Sequence, residues 1–330
     1  MKNHVVRFFS LVALLCLVLP PLALMAQEES SEYTFEEYSY YDKAKKETDP
    51  VKKEADLFEF MEKFPQSKLT PHAMAEFKNL FDMLMQQKKY DETIAAANKL
   101  LTVRPDELVA HQALAGAYYF KQDFANYLKS SEIIYAKSPA TEQAYFMADA
   151  AIKINDTARA EKYFADVEKG DKPLMKVDLA FKLFTLYKAD EAKASAYANK
   201  VLELMAVTEK PADFQGDWAA FRIQMMNPCY DFLGNSAFKV QNYDVAAQMY
   251  TKISESFPKD APTHFKLGMA YWYGKKAKEA APEFAKAVVL KVSPVSEKAD
   301  AQLRKLLESA GLAAKYDEYI ATAKTDLGIQ

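Results

Sequence analysis

Residues 267–287 read LGMAYWYGKKAKEAAPEFAKA, and residues 233–253, which lie 34 positions earlier, read LGNSAFKVQNYDVAAQMYTKI. Both stretches contain a Leu-Gly pair, an Ala twelve positions after the Gly, and an aromatic residue four positions after that Ala. Self-similarity at a fixed period of about 20 to 50 residues is typical of folds built from stacked repeats. The spacing therefore predicts a structural repeat of 34 residues.

The same period recurs nearer the N-terminus. Residues of similar kind return 34 positions later in the pairs Leu80 and Leu114, Tyr90 and Phe124, Leu100 and Ile134, and Pro105 and Pro139. Apolar residues follow the spacing of one helix face at Met74, Phe77, Leu80, Phe81 and Leu84. Since no stretch of comparable length alternates as a strand would, we expect an all-α fold.

The stretch that carries Leu267, Gly268, Tyr271, Ala280 and Phe284 resembles a tetratricopeptide repeat. In that family a first helix with Leu-Gly and Tyr pairs with a second helix that bears Ala and an aromatic residue. Small residues let the two helices approach, and the aromatic ring fills the space between them. The resemblance implies a right-handed superhelical solenoid of antiparallel helix pairs.

The resemblance extends over residues 43–327. Its units begin near Met74, Leu108, Thr141, Met175, Asn227 and Ala261. The wider spacing before Asn227 predicts an insertion at 206–226 that forms a longer connection or an added helix. Residues 43–64 resemble a preceding helix pair, and residues 296–327 are predicted to form C-terminal capping helices over the exposed end of the stack.

Several positions depart from the family pattern. Thr93 and Tyr127 stand where a small residue is expected at the helix crossing, and so does Lys182. Ala206 replaces the closing Pro, so we expect irregular packing in the second and fourth units. Pro282 falls early in the second helix of the last repeat, and we expect its missing N–H to be one of the unpaired first-turn donors.

The N-terminus has the pattern of a secretory signal peptide comprising residues 1–26. A basic start and an uncharged run at 8–25 precede Ala26, which supplies the small residue of a cleavage site. A run of about 18 apolar residues also fits an uncleaved membrane anchor, although Pro20-Pro21 interrupts it. We expect an exported protein, periplasmic or secreted, with anchoring by an uncleaved signal as the alternative.

Residues 27–42 read QEESSEYTFEEYSYYD, which is acidic and rich in Tyr without helical or alternating periodicity. We expect a mobile lead-in, with a Tyr-rich docking segment as the alternative. Cys16 lacks the small-residue neighbours of a lipid-modified cysteine. Removal of residues 1–26 leaves only Cys229, which we predict to be buried as a small apolar side chain.

Composition and motifs exclude several function classes. The 330 residues include 43 Lys and Arg against 46 Asp and Glu, so the chain lacks the excess of cations that nucleic-acid binding requires. The 8 glycines form neither a dinucleotide-binding nor a P-loop motif. His72, His111 and His264 lie outside any metal-ligand motif, and we expect the last two in core packing. We predict no metal, no cofactor and no enzymatic activity.

The family resemblance implies that positions 2, 5, 9, 12 and 13 of each unit line the inner groove. They place there Lys78, Tyr119, Phe120, Tyr145, Lys153, Tyr187, Phe238, Lys239, Phe265, Trp272 and Tyr273. The alternative is that many of these aromatic residues pack against the next unit. Asp82 and Asn235 occupy ninth positions without the Lys and Asn that clamp a C-terminal carboxylate, so an extended apolar or aromatic peptide suits the groove better.

We therefore predict a non-catalytic scaffold of the cell envelope that binds another protein in an aromatic concave groove. One alternative is a membrane-tethered assembly factor. A second is a helical-superhelix envelope enzyme that acts through a carboxylate.

Overall fold

A computed structural model describes residues 33–330, and the predicted signal peptide therefore lies outside the described residues. Within residues 33–330 there are sixteen α-helices, one short 3-10 helix at Ala313–Lys315 and no strand. None of these helices combines the length and the apolar character that a bilayer crossing requires. The helices are α1 Phe35–Lys46, α2 Pro50–Lys63, α3 Thr70–Gln86, α4 Tyr90–Val103, α5 Leu108–Phe120, α6 Phe124–Lys137, α7 Thr141–Lys153, α8 Thr157–Lys169, α9 Pro173–Leu186, α10 Glu191–Val207, α11 Trp218–Lys239, α12 Tyr243–Ser256, α13 Ala261–Tyr273, α14 Ala277–Val289, α15 Val295–Ser309 and α16 Tyr316–Leu327.

The described chain forms two compact units that divide within α3, between Leu80 and Phe81. In the first unit α1 packs against α2, and a buried cation joins three segments. The ammonium of Lys53 donates to the backbone carbonyl of Ala44 at 3.0 Å and forms an ion pair with Glu76 at 2.7 Å. Because the last carbonyls of a helix lack helical partners, Lys53 caps the C-terminal end of α1.

In the second compact unit each helix except α16 packs chiefly against the helix before it and the helix after it in sequence. Packing confined to sequence neighbours is the property that defines a solenoid. The core accordingly runs from one helix pair to the next, and its largest enclosed side chains include Tyr163, Phe184, Tyr250 and Phe284. The predicted all-α stack of antiparallel helix pairs is confirmed.

Two glycines set how closely the paired helices approach. A Cβ added at Gly268 would lie 2.7 Å from Cδ1 of Phe284, and one added at Gly234 would lie 2.7 Å from Cε1 of Tyr250. Real Cβ atoms do not approach a ring carbon so closely, so each ring occupies the space that the absent side chain leaves. The two crossings are equivalent and lie 34 residues apart, as the sequence period predicts.

The turn between the two helices of a unit is also repeated. In five of these turns one non-glycine residue has left-handed backbone geometry, with φ between 56° and 61°, at Lys88, Gln122, Asn155, Gln241 and Lys275. The next N–H bonds back across the end of the helix, as from Asp123 to the carbonyl of Tyr118 at 2.9 Å. This is the Schellman ending of a helix. The α9–α10 turn lacks such a residue, which fits the irregularity predicted for the fourth unit.

The structure differs from the predicted lead-in at 27–42. Residues 35–42 form the first part of α1, while 27–32 lie outside the described residues. Thr34 and Glu37 form a capping box, in which each side chain bonds the backbone N–H of the other residue. Because only Tyr41 and Ala44 of this helix are buried, it has too few apolar contacts to produce a recognisable period.

The insertion at 206–226 is divided between two kinds of structure. Residues 208–217 form an irregular connection, and residues 218–226 extend the first helix of the fifth unit, so that α11 has 22 residues against 13 in α13. Pro282 also differs from its predicted placement, because it is the sixth residue of α14. It therefore removes one interior hydrogen bond from the helix.

The C-terminal segment forms α15 and α16, both of which pack against α14. Gly311, with φ +69°, follows the end of α15. Cys229 is buried, as predicted, and its thiol donates to the carbonyl of Met225 at 3.4 Å. Burial raises the pKa of this thiol to about 12, so the group remains protonated at neutral pH.

Candidate functional site

Two of the predicted groove aromatics make the same kind of stacking contact, one near each end of the second compact unit. Phe120 stacks on Tyr90, with ring centroids 5.5 Å apart and planes 4° apart. Tyr273 stacks on Tyr243 at 5.6 Å and 22°. In both pairs the aromatic residue that ends the first helix of a repeat stacks on the residue that begins the second helix of the preceding repeat. Phe120 nevertheless remains 44% exposed and Tyr273 50% exposed. Each ring therefore has one packed face and one free edge.

Three rings near the C-terminal end contact one another, and an exposed aliphatic residue follows one of them closely in sequence. Phe238 meets Tyr243 at 5.3 Å and Tyr273 at 5.6 Å, both edge to face. Val240, in the turn that follows α11, is 74% exposed. We call Phe238, Val240, Tyr243 and Tyr273 the aromatic cluster. Edge-to-face contacts fix the rings before any partner arrives, so little conformational freedom is lost on binding.

Other predicted groove aromatics are packing residues. Tyr119 makes ring contacts with Phe120, Phe124, Tyr127 and Phe146 at 5.4 to 6.1 Å. A side chain held by four rings is a structural element of the stack. This arrangement matches the alternative in which groove aromatics fill the space between units.

Phe265 and Trp272 show the same behaviour on α13. Both are half-buried and pack against the hydrophobic core of α14 to α16, and Phe265 lies 6.0 Å from the ring of Phe284. Their rings thus connect the last repeat to the capping helices.

Tyr187 requires a correction, because it is only 8% exposed. Its hydroxyl donates to Glu161 at 2.7 Å, and its ring stacks on Tyr197 at 5.7 Å. Lys193 lies 4.4 Å above the ring centroid. Tyr187 lies in the turn between the two helices of the fourth unit, where Glu161, Lys193 and Tyr197 cover it.

The predicted groove lysines do not form a cationic surface. Lys153 pairs with Asp149 at 2.7 Å, and Lys239 lies 3.5 Å from Glu191. Lys78 is exposed in the first compact unit. Because the two paired lysines already have acidic partners, an acidic partner protein gains little from them.

Tyr145 belongs to a polar network between α7 and α9. Its hydroxyl donates to Asp178 at 2.8 Å, and Lys182 bridges Asp178 at 2.8 Å and Asp149 at 2.6 Å. Burial alone would raise the pKa of Asp149, but the nearby ammonium groups of Lys182 and Lys153 outweigh it, so this pKa is lowered. Lys182 therefore departs from the family pattern for a structural reason, since it is the cation that neutralises two carboxylates.

Asp149 should make stability depend on pH. A carboxyl group whose pKa is lower in the folded state stabilises the fold above its unfolded pKa of about 3.9, and this contribution is lost as the pH falls. Urea unfolding between pH 7 and pH 3 should show that Asp149→Asn lowers stability at pH 7 by about 1.5 to 3 kcal/mol and less at pH 3. An equal loss at both pH values would contradict this role.

The network and two members of the aromatic cluster, Val240 and Tyr243, were not predicted from sequence. Asp178 and Lys182 are one turn apart on α9, and only the packing of α7 on α9 brings Asp149 to them. Tyr243 could have been predicted from the sequence. It begins the second helix of its repeat immediately after the repeated turn, as Tyr90 does in the first repeat.

The two interior histidines are packing residues, as predicted. His264 lies 2.9 Å from the carbonyl of Pro258 and 2.6 Å from Glu283, and His111 lies 3.3 Å from the carbonyl of Pro105. Among the described residues there is no group of three or more His, Cys, Asp or Glu side chains that could hold a metal ion.

The glycine crossings, the repeated turn and the 34-residue spacing give the described helix pairs the arrangement of a tetratricopeptide-like solenoid. No protein-family model matches the chain. No curated protein matches it either.

Solved structures with a similar fold include a tetratricopeptide repeat protein from Parabacteroides merdae, at 18% identity over 82% of this chain and 96% of that chain, with a TM-score of 0.37. The C-terminal part of a TPR repeat-containing protein from Cytophaga hutchinsonii is 15% identical over 75% and 95%, with a TM-score of 0.42. YrrB, a TPR protein described as having an unusual peptide-binding site, is 12% identical over 74% and 97%, with a TM-score of 0.30.

Proposed function

We propose that the protein is a non-catalytic scaffold that binds a segment of another protein, and that the aromatic cluster is its principal contact surface. The observation that carries this proposal is the exposure of Tyr273, whose ring contacts two prearranged rings, together with that of Val240 two residues after Phe238. Large apolar side chains that remain exposed together mark interaction sites, and aromatic anchors supply much of the energy of protein interfaces. The partner segment is extended and apolar or aromatic.

We further propose that this scaffold acts in the cell envelope, periplasmic or secreted. The support is the basic, apolar and small-residue succession in residues 1–26. A membrane-tethered assembly factor is the form that the same scaffold takes if the signal is retained.

Removing rings from the aromatic cluster should separate binding from folding. In-cell crosslinking and mass spectrometry first identify the partner of the native protein. Phe238→Ala with Tyr273→Ala should then weaken binding of the purified partner at least tenfold, about 1.4 kcal/mol. The melting temperature should fall by only a few degrees, because both rings are partly solvated.

Leu267→Ala is the matched control for folding. Leu267 is buried in the neighbouring core, so its truncation should cost about 2 to 5 kcal/mol of stability while the folded fraction binds normally. Unchanged partner affinity in the double variant would refute the proposed surface. Tyr119→Ala is unsuited to this comparison, since four ring contacts make it a stability variant.

Signal processing should be visible in the mass of the protein. Intact-mass measurement on the envelope fraction should give a chain that begins at Gln27, because cleavage is expected after Ala26. Full-length protein in the inner membrane would instead support the tethered form.

A further inference from the structure

Two repeats of the second compact unit carry a buried histidine at the same position. His111 is the fourth residue of α5, and His264 is the fourth residue of α13. In each repeat Nε2 lies against the backbone carbonyl of the proline six residues earlier, at 3.3 Å for Pro105 and 2.9 Å for Pro258. Because a carbonyl oxygen can only accept, Nε2 carries the hydrogen in both contacts.

The other ring nitrogen has opposite surroundings in the two repeats. Nδ1 of His264 lies 2.6 Å from Oε2 of Glu283, which also pairs with Lys286 at 2.9 Å. Nδ1 of His111 is buried and has no hydrogen-bond partner within residues 33–330. The earlier repeat has Ser130 at the place of Glu283, 153 positions before it, just as His111 precedes His264 by 153 positions. The carboxylate is therefore present in one repeat and missing from the other.

The contacts of His264 favour the charged form of its ring. A neutral imidazole has one N–H and one lone pair, so one of its nitrogens would direct a lone pair at an oxygen acceptor. Burial alone would raise the pKa of Glu283, but the hydrogen bond from His264 and the ammonium of Lys286 outweigh it, so this pKa is lowered. A proton on His264 thus gains an ionised acceptor that the unfolded chain does not offer. Its uptake stabilises the folded repeat as the pH falls.

The surroundings of His111 give the opposite sign. The residue is only 7% exposed, and a second proton would place a charge in a buried site without an acceptor at Nδ1. In the unfolded chain water solvates the same charge. Since protonation is then less favourable in the folded state, a fall in pH destabilises this repeat.

The other charged groups on the neighbouring elements have partners of their own. Neither histidine has a hydrogen bond or ion pair with any of them within residues 33–330, and Asp260 caps α13 by accepting from the N–H of Thr263. The ion pairs around α5 are Asp91 with Lys121, Arg104 with Glu107, and Glu132 with Arg159, and those on α12 and α15 are Lys252 with Glu255 and Asp300 with Arg304.

We propose that mild acid tightens the repeat of α13 and α14 through His264 and loosens the repeat of α5 and α6 through His111. Imidazole changes its charge between about pH 5 and pH 8, so a moderate fall in pH acts on both contacts. α5 ends at Phe120 and α13 ends at Tyr273. The pH therefore selects which of the two exposed, stacked rings is carried by the firmer repeat. Neither effect depends on the proposed scaffold function.

Hydrogen exchange of the full chain at pH 8 and pH 5.5 tests both effects. Each rate is divided by that of the same amide in an unstructured peptide at the same pH, and α7 and α8, which contain no His, are the internal reference. On going from pH 8 to pH 5.5, protection of α13 and α14 should rise at least threefold and that of α5 and α6 should fall at least threefold. Changes in the same direction, or no change, would overturn the proposal.

One variant in each repeat assigns the effect to its histidine. Glu283→Gln keeps the shape of the acceptor but removes its charge, so the rise in α13 and α14 should disappear while the fall in α5 and α6 remains. His111→Phe keeps a buried ring without a titrating nitrogen, so the fall should disappear while the rise remains. A pH effect that persists in the variant meant to remove it would overturn the proposal.

Ring-nitrogen NMR of the native protein supplies a measurement that does not depend on the folding of any variant. At pH 7 His264 should carry hydrogen on both nitrogens, and His111 should carry it on Nε2 alone. The exposed His72 is the reference ring. A single hydrogen on His264, or two on His111, would contradict the proposed contacts.

Discussion

Gly268→Leu should lower the free energy of unfolding of the second compact unit by about 1 to 3 kcal/mol or more, because the crossing has no space for the new side chain. Even a single Cβ at this position would lie 2.7 Å from the ring of Phe284, which is completely buried and cannot move aside. The helices α13 and α14 would have to separate along their whole crossing. Chemical denaturation with the native protein as reference measures the loss.

Gly116→Ala is a matched control, since Gly116 is also a glycine within a first helix. Its added Cβ would lie 3.3 Å from the terminal methyl of Met85, which is flexible and can yield. Ala is favoured over Gly in a helix by about 1 kcal/mol, so this variant should be neutral or more stable. Gly268→Ala should be destabilising, and equal effects of the two Ala variants would contradict the role given to Phe284.

The same Gly268→Leu variant tests whether the second unit behaves as a linear stack. Interactions limited to neighbours predict that hydrogen exchange becomes faster first in residues 227–294 and later in residues 108–169. Simultaneous loss of protection in both regions would show a single cooperative core.

Lys53→Met should cost about 3 to 5 kcal/mol of unfolding free energy, the effect of removing one partner from a buried ion pair. Only 4% of the Lys53 side chain and 12% of the Glu76 side chain are exposed. The variant would leave Glu76 as an uncompensated charge and would also remove the ammonium that caps α1. Hydrogen exchange should show α1 losing protection.

The comparison for Lys53 is an exposed ion pair. Lys169 has 76% side-chain exposure in its pair with Asp166, and Lys169→Ala should cost no more than about 0.5 kcal/mol. Adding Glu76→Gln to Lys53→Met should recover part of the stability, because the second change removes the unpaired charge. If the double variant were less stable than Lys53→Met, the uncompensated charge of Glu76 would not be the cause of the stability loss in Lys53→Met.

The candidate site was predictable in position but not in detail. Tyr273 and Phe120 were identified from their places in the repeat, and both keep an exposed edge. Tyr187 was identified by the same reasoning and is buried, because Glu161 and Tyr197 pack against it. Repeat numbering gives the helix face of a residue but not the side chains that the next helix brings against it.

The amino-acid sequence by itself determined the repeat, because a packed crossing restricts residue type. Gly268 and Phe284 recur as Gly234 and Tyr250, since only a residue without a side chain fits beneath a buried ring. This constraint acts at the same position of these two units, and it therefore leaves a 34-residue period that can be read in residues 233–287.

Only the tertiary structure decided which polar groups meet. Lys53 and Glu76 are 23 residues apart, and Lys182 and Asp149 are 33 apart. Lys and Asp are also common on solvated helix surfaces, so their types do not reveal such pairs. The same holds for Asn227, whose buried amide nitrogen has no hydrogen-bond partner within residues 33–330. Burial decides the energy of these groups, and burial depends on the neighbouring helices.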